Sequence, residues 1–367
     1  MSISNNEDRI FGLDVMRALA ILLVVLAHGR DLLGAYIPFQ PVVPGVDPVD
    51  LFFVLSGYLI GGILLRMSAG PDRTAARIVQ RFWMRRWIRT LPNYYLFLIL
   101  NIILVVAGLI PGVVNHNAFA YFIFLQNVVK PLDLFFWESW SLAVEVWFYT
   151  LFPLLLMVLY RSIGLSLRLS YLISVLLLIA VPALLRIPLS EGLQTLWDSD
   201  VGIRRMVFTR LDTIAFGALA AWLHAYQPRE WERWRWPLFL AGSAFVLLSA
   251  MFRSEEHLDY LNTWFFTFTA AGMAAMLPLL AAWRNGGVLR PIVVYVSRVS
   301  YALYLTHLPL RYLLIGSFEG LSWSATVLLY LAWWAACFSI AGLVLHFYEQ
   351  PILDRRDRSR IGPRASV

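Results

Sequence analysis

Ten long apolar stretches follow one another along these 367 residues, and no soluble core of this size could bury them all. They fall near 11–29, 48–67, 93–111, 140–160, 170–187, 207–226, 236–252, 262–283, 291–315 and 322–347. Only 14% of the residues are charged and 60% are hydrophobic; soluble domains carry about 25% charged residues. The runs are continuous rather than alternating, which argues against a β-barrel. The sequence therefore predicts an all-α, polytopic transmembrane helical bundle with no room for a sizeable soluble domain. One integral membrane domain is expected over 1–353, with a basic tail over 354–367.

Charge supplies the sidedness. Of 30 basic residues only Lys130 is lysine, and the net charge is +7. The arginines crowd into alternate connections: Arg66, Arg73, Arg77, Arg81, Arg85, Arg86 and Arg89; Arg161 and Arg168; Arg229, Arg233 and Arg235; Arg284 and Arg290; and the tail from Arg355. The positive-inside rule explains this pattern without a nucleic-acid partner. The stretch 118–129 is short for a crossing and is expected to be re-entrant or interfacial. With it uncrossed, the spans number ten and both termini are cytoplasmic; Arg204 and Arg205 are then minor exceptions on the outer side. The lone cysteine, Cys337, allows neither an internal disulfide nor a cysteine metal site, and no metal is expected.

Polar residues inside the spans carry the functional signal, because burying charge in a bilayer is costly. Arg17 and His28 share the first span, eleven residues and so about 16 Å apart along one helix. His28, Asp50, Ser141, Glu145, Arg210, Asp212 and His307 all fall toward the outer half. A histidine beside a carboxylate is a recurring general base, so His28 with Glu145 or Asp50 would suit acyl transfer to an alcohol. A simple hydrogen bond to a neighbouring helix is the equal alternative. On the inner side, Arg81-Phe-Trp-Met-Arg-Arg-Trp-Ile-Arg-Thr-Leu-Pro92 interleaves arginine with aromatics. Guanidinium forks suit phosphate, in a donor such as acyl-coenzyme A or in lipid headgroups. Arg17 has two readings, pairing with Asp14 or contact with the donor. Tyr301, Tyr304 and His307 recur on one helix face.

These motifs together resemble the membrane acyltransferase-3 superfamily, which includes O-antigen and exopolysaccharide O-acetyltransferases. The resemblance runs nearly end to end. It is carried by Leu13-Asp-Val-Met-Arg-Ala-Leu-Ala with Arg17 and His28, and by Val49-Asp-Leu-Phe-Phe-Val-Leu-Ser-Gly-Tyr-Leu-Ile. Arg86 and Arg89 follow, then Trp140-Ser-Leu-Ala-Val-Glu145 with Phe148-Tyr149. Thr209-Arg-Leu-Asp-Thr-Ile-Ala-Phe-Gly217 and Ser300-Tyr-Ala-Leu-Tyr-Leu-Thr-His307 complete the set. The closing Tyr348-Glu-Gln-Pro351 has glutamine where the family has arginine.

The resemblance implies a multi-pass enzyme of the bacterial inner membrane. It would move an acyl group, most simply acetyl, from acetyl-coenzyme A or another acyl-CoA to a sugar hydroxyl. The acceptor would be a surface or exported polysaccharide or its lipid-linked precursor. His28 would be catalytic, oriented by Glu145 or Asp50; Arg17, Arg86 and Arg89 would hold the donor. Ser141, Arg210, Tyr301 and His307 would contact the acceptor or the developing oxyanion. Members often carry an esterase-like domain after the membrane part; this chain is expected to act alone or with a separate protein. The expected partners are the bilayer, the carbohydrate and polysaccharide-assembly proteins. A transporter or flippase of lipid-linked sugars, or a non-catalytic assembly subunit, would share the buried charges but consume no acyl donor.

Overall fold

The computed structural model describes residues 9–34, 36, 46–70, 74–132 and 134–358. Arg73 and the tail beyond residue 358 lie outside them. Ten principal helices run in chain order: α1 Phe11–Gly29, α2 Pro48–Ser68, α3 Ala75–Val106, α4 Ser139–Met157, α5 Leu167–Leu189, α6 Leu211–Tyr226, α7 Arg235–Met251, α8 Phe266–Ala282, α9 Arg290–Leu314 and α10 Trp323–Val344. Eight of the helical segments are long and apolar enough to cross a membrane. The helices outside that set are α6 and α7, of 16 and 17 residues, whereas α8 is within it because its helical segment begins at Glu255. The protein is a polytopic helical bundle.

Helix starts follow from local chemistry. Asp47 caps α2 by accepting the Val49 N–H at 3.0 Å, with Pro48 in the first turn, where its missing N–H costs nothing. Thr74, Ser166 and Ser322 cap α3, α5 and α10 in the same way. The sequence places the third span at 93–111, after a loop rich in arginine. The structure instead gives one helix of 32 residues from Ala75, so the arginine segment is helical and continuous with the span. Arginine and tryptophan are adequate helix formers, and Pro92 removes only one ladder bond.

Helix α6 sits at the centre because it can be approached closely. A Cβ on Gly57 of α2 would collide with the carbonyl of Ile214, and one on Gly217 of α6 with the carbonyl of Val54. The two glycines let parallel α2 and α6 cross backbone to backbone, as small residues do between membrane helices. Seven residues before each glycine stand Asp50 and Arg210. They form an ion pair, and both side chains are fully buried. A second buried pair joins α5 to α6: Arg186 donates to Asp212 at 2.8 Å and to the carbonyls of Thr263 and Thr209, and also meets Thr267 of α8. Arginine fits here because four of its five donors find acceptors.

The 107–138 connection folds over one end of the bundle. Around 118–129 the structure holds a short turn at His116–Ala118 and another at Phe119–Phe122, not a spanning helix. Its open carbonyls are satisfied from the bundle: Tyr94 donates to Tyr121 O at 2.7 Å, Tyr95 to Phe122 O at 2.9 Å and Trp147 to Phe124 O at 2.9 Å. Irregular backbone is tolerated near a bilayer when protein covers it in this way.

The two arginines that break the charge rule are accounted for locally. Arg204 pairs with Asp47 and with Asp200 at 2.8 Å, and lies over the Trp140 ring at 4.7 Å. Burial opposes the charge of Asp47, yet Arg204 beside it holds that carboxyl well below its usual range. Arg205 also pairs with Asp200. These charges are neutralised within the fold.

Candidate active site

Helices α2, α3, α4 and α9, with one residue of α1, enclose a cavity of about 280 Å³. Its polar lining includes Arg17, Arg86, Arg89, Glu145, Ser141 and Tyr301. Along α2 it runs from Val49 in the first turn to Ile63, a length of about 21 Å at helical rise. Arg86 and Arg89 stand at the arginine-rich end, whereas Ser141 and Tyr304 stand toward the other. Three guanidinium groups against one carboxylate give the cavity lining an excess of positive charge.

The hydroxyl groups of the lining are held by their neighbours. Glu145, half-buried, lies against the hydroxyls of Tyr149 and Ser56, which share a hydrogen bond of 2.6 Å. Tyr301 donates to Thr90 O at 2.8 Å, tying α9 to α3. Ser141 and Tyr304 share a hydrogen bond of 2.8 Å, and Tyr304 donates to Glu138 O at 3.0 Å. The Arg17–Asp14 pairing that the spacing allows does not form. Asp14 is engaged by Arg9 and by Ser297 of α9, and Arg17 lines the cavity instead.

His28 has a different partner from the one the sequence suggests. Neither Glu145 nor Asp50 hydrogen-bonds it: Glu145 faces the cavity with Ser56 and Tyr149, and Asp50 is taken by Arg210. Instead His28 Nδ1 lies 2.8 Å from His307 Nε2. The ring centroids are 5.0 Å apart and the planes are inclined by 26°, so the two imidazoles meet edge to edge rather than face to face. The physical reason is the pairing of helices. α1 packs along parallel α9, so Asp14 meets Ser297 at one end and His28 meets His307 at the other. The His307 ring is 5.8 Å from that of Tyr304, which lines the cavity. The histidine pair therefore lies beyond the cavity lining, one aromatic residue past its end.

The structure thus groups Arg17, Arg86, Arg89, Glu145, Ser141 and Tyr301 around one cavity, and sets His28 with His307 at its far end. Asp50 and Arg210 stand apart as a buried pair outside the cavity lining. The sequence reading passed over Ser56, Tyr149 and Glu138. The first two sit inside quoted motifs, but as hydroxyls in apolar helices they carry no charge signal.

Glu138, just before α4, is buried with Oε1 lacking a partner among the described residues. Burial pushes its carboxyl up to about 8 from an ordinary 4.5, against a smaller opposing pull from its own backbone hydrogen bond. A folded-state value above the unfolded one means that stability falls as pH rises between the two and then levels off. Glu138→Gln is expected to remove that slope and raise the thermal midpoint at neutral pH. Thermal unfolding in detergent at pH 5 and pH 8 checks it; an unchanged slope would contradict the shielding of this carboxyl.

Comparison with known proteins meets this geometry. A family model described as an acyltransferase domain matches residues 10–348. Peptidoglycan O-acetyltransferase OatA of Listeria monocytogenes is 26% identical, over 93% of this chain and 55% of its own. A Staphylococcus aureus protein named as a putative O-acetyltransferase is 25% identical, over 81% of this chain and 50% of its own. The chain spans about half the length of these curated relatives. No solved structure matches it. With a match over nearly its whole length, on a multi-pass helical bundle, the chain belongs to the acyltransferase-3 family.

Proposed function

We propose that this protein is a membrane O-acyltransferase that moves an acyl group, most simply acetyl, from acyl-coenzyme A to a sugar hydroxyl. The acceptor is a surface or exported polysaccharide, or its lipid-linked precursor, and the membrane is the bacterial inner membrane. One observation carries the reading: an arginine-lined cavity leads along α2 toward a histidine pair at the opposite end. By the positive-inside rule the arginine-rich end is cytoplasmic, where acyl-CoA is made available.

In this reading Arg86 and Arg89 hold donor phosphates at the cytoplasmic mouth, because planar guanidinium forks match phosphate oxygens. Arg17 sits deeper in the cavity and meets the polar part of the donor arm. Glu145, kept in place by Ser56 and Tyr149, fixes the charge balance of the cavity wall rather than orienting His28. His28 takes the proton of the acceptor hydroxyl as the oxygen attacks the thioester carbonyl. The new C–O bond forms, the C–S bond breaks, and the proton passes to the departing coenzyme A thiolate. Ser141 and Tyr304 wall the cavity end nearest the histidines, and Ser141 becomes a donor to the oxygen on which charge develops when its proton turns from Tyr304 and Glu138 O. Asp50 and Arg210 serve the fold.

The name of the Listeria relative gives peptidoglycan as its acceptor, which makes muropeptide and lipid-linked muropeptide the first acceptors to try. Purified protein in liposomes, given acetyl-labelled acetyl-CoA and such acceptors, is expected to place alkali-labile label on sugar. Acceptor movement across the bilayer with no donor consumed would overturn the reading in favour of a transporter.

A further inference from the structure

We propose that His307 is a positioning residue which fixes the tautomer of His28, the task a carboxylate performs beside many histidine bases. The inference rests on the transfer reading of His28 and deepens it. A hydrogen bond between two imidazoles needs one N–H and one bare nitrogen, so the 2.8 Å contact between His28 Nδ1 and His307 Nε2 leaves only two arrangements.

The surroundings of His307 choose between them. Its side chain is fully buried, and its Nδ1 makes no well-formed hydrogen bond among the described residues. The groups beside the ring are the backbone carbonyls of Leu303 and Tyr304, in the preceding turn of α9. A buried nitrogen that faces only acceptors keeps its proton, since a bare lone pair there would be repelled. His307 is therefore protonated on Nδ1 and bare on Nε2. It accepts from His28, which must carry its proton on Nδ1. The lone pair of His28 is then on Nε2, the nitrogen left for a hydroxyl proton.

Among the described residues no carboxylate competes for this role. The charged groups that face His28 are Arg204, Arg311 and Asp47. Asp47 is engaged by Arg204 and by the start of α2, and Arg311 pairs with Asp31 at 3.1 Å. The neighbouring backbone is also held in register: a Cβ on Gly29 would sit 2.5 Å from the ring of Trp333 in α10. A neutral acceptor holds the base without adding negative charge on the side of the membrane where the sugar arrives.

The test compares His307→Leu with His307→Gln in liposomes, using acetyl-CoA and the acceptor that the wild type uses. Leucine removes the acceptor atom, whereas glutamine can present Oε1 near the position of Nε2. His307→Leu is expected to lower kcat at least tenfold, toward the ~10²–10⁴ range of a lost general base, with KM for acetyl-CoA unchanged. His307→Gln recovers most of that loss. Wild-type kcat in His307→Leu, or equal impairment in two folded variants, would overturn the assignment. Solid-state nitrogen NMR of histidine-labelled protein reads the tautomer without turnover, with His28→Asn identifying the signal. A bare Nε2 on His28 in the wild type, lost in His307→Leu, supports the assignment. A bare Nδ1 rejects it even in a protein that transfers nothing, and absence of transfer by the wild type would reject the enzyme reading alone.

Discussion

His28→Ala is expected to lower acyl transfer by about 10²–10⁴ while leaving a folded bundle in the membrane. The imidazole is the group assigned to take the hydroxyl proton, and alanine leaves no nitrogen in its place. The structural cost is modest. His28 is half-buried and makes one side-chain hydrogen bond, to His307; losing it strands one buried acceptor, about 1–3 kcal/mol. Donor affinity should hold, because Arg86 and Arg89 lie at the other end. The measurement is kcat and KM for acetyl-CoA in liposomes, with thermal unfolding alongside. Turnover at the wild-type rate would remove His28 from the chemistry.

Arg210→Met should have the opposite signature, a loss of folded protein rather than of turnover. Asp50 and Arg210 are both fully buried and bonded to each other, and truncating one partner strands the other charge. Breaking such a pair costs about 3–5 kcal/mol, much of the 5–15 kcal/mol that holds a typical domain together. The double change Asp50→Leu with Arg210→Met removes both charges, and apolar replacements of buried pairs are often neutral or stabilising. It is therefore expected to restore folding and leave acyl transfer close to wild type. A double variant that folds well but transfers nothing would return these residues to the reaction, as the sequence alone had suggested. Yield, thermal midpoint and turnover of the three variants decide it.

The sequence made the helices legible because charge is so expensive in a bilayer that its absence marks each span. Depth was legible too: counting along spans places His28, Asp50, Arg210 and His307 toward one end. Partnership was not, because depth says nothing about which faces meet. His28 finds His307 because α1 lies along α9, and Asp50 finds Arg210 because Gly57 and Gly217 bring α2 onto α6. Those glycines were visible inside two of the quoted motifs, and a paired reading of them would have pointed to the ion pair two turns upstream. The helical start of α3 was hidden for a different reason. Arg85, Arg86 and Arg89 look like loop charges until the continuous helix carries Arg86 and Arg89 to the cavity wall.

The central claim is vectorial: the donor enters by the arginine-rich mouth and the acceptor meets His28 at the far end. The direct measurement uses sealed vesicles of known orientation, with acetyl-labelled acetyl-CoA supplied to one face and a membrane-impermeant sugar acceptor to the other. Labelled acceptor is expected only when acetyl-CoA is on the face exposing Arg86 and Arg89, and it should vanish with His28→Ala. Label appearing only when donor and acceptor share a face would contradict the account.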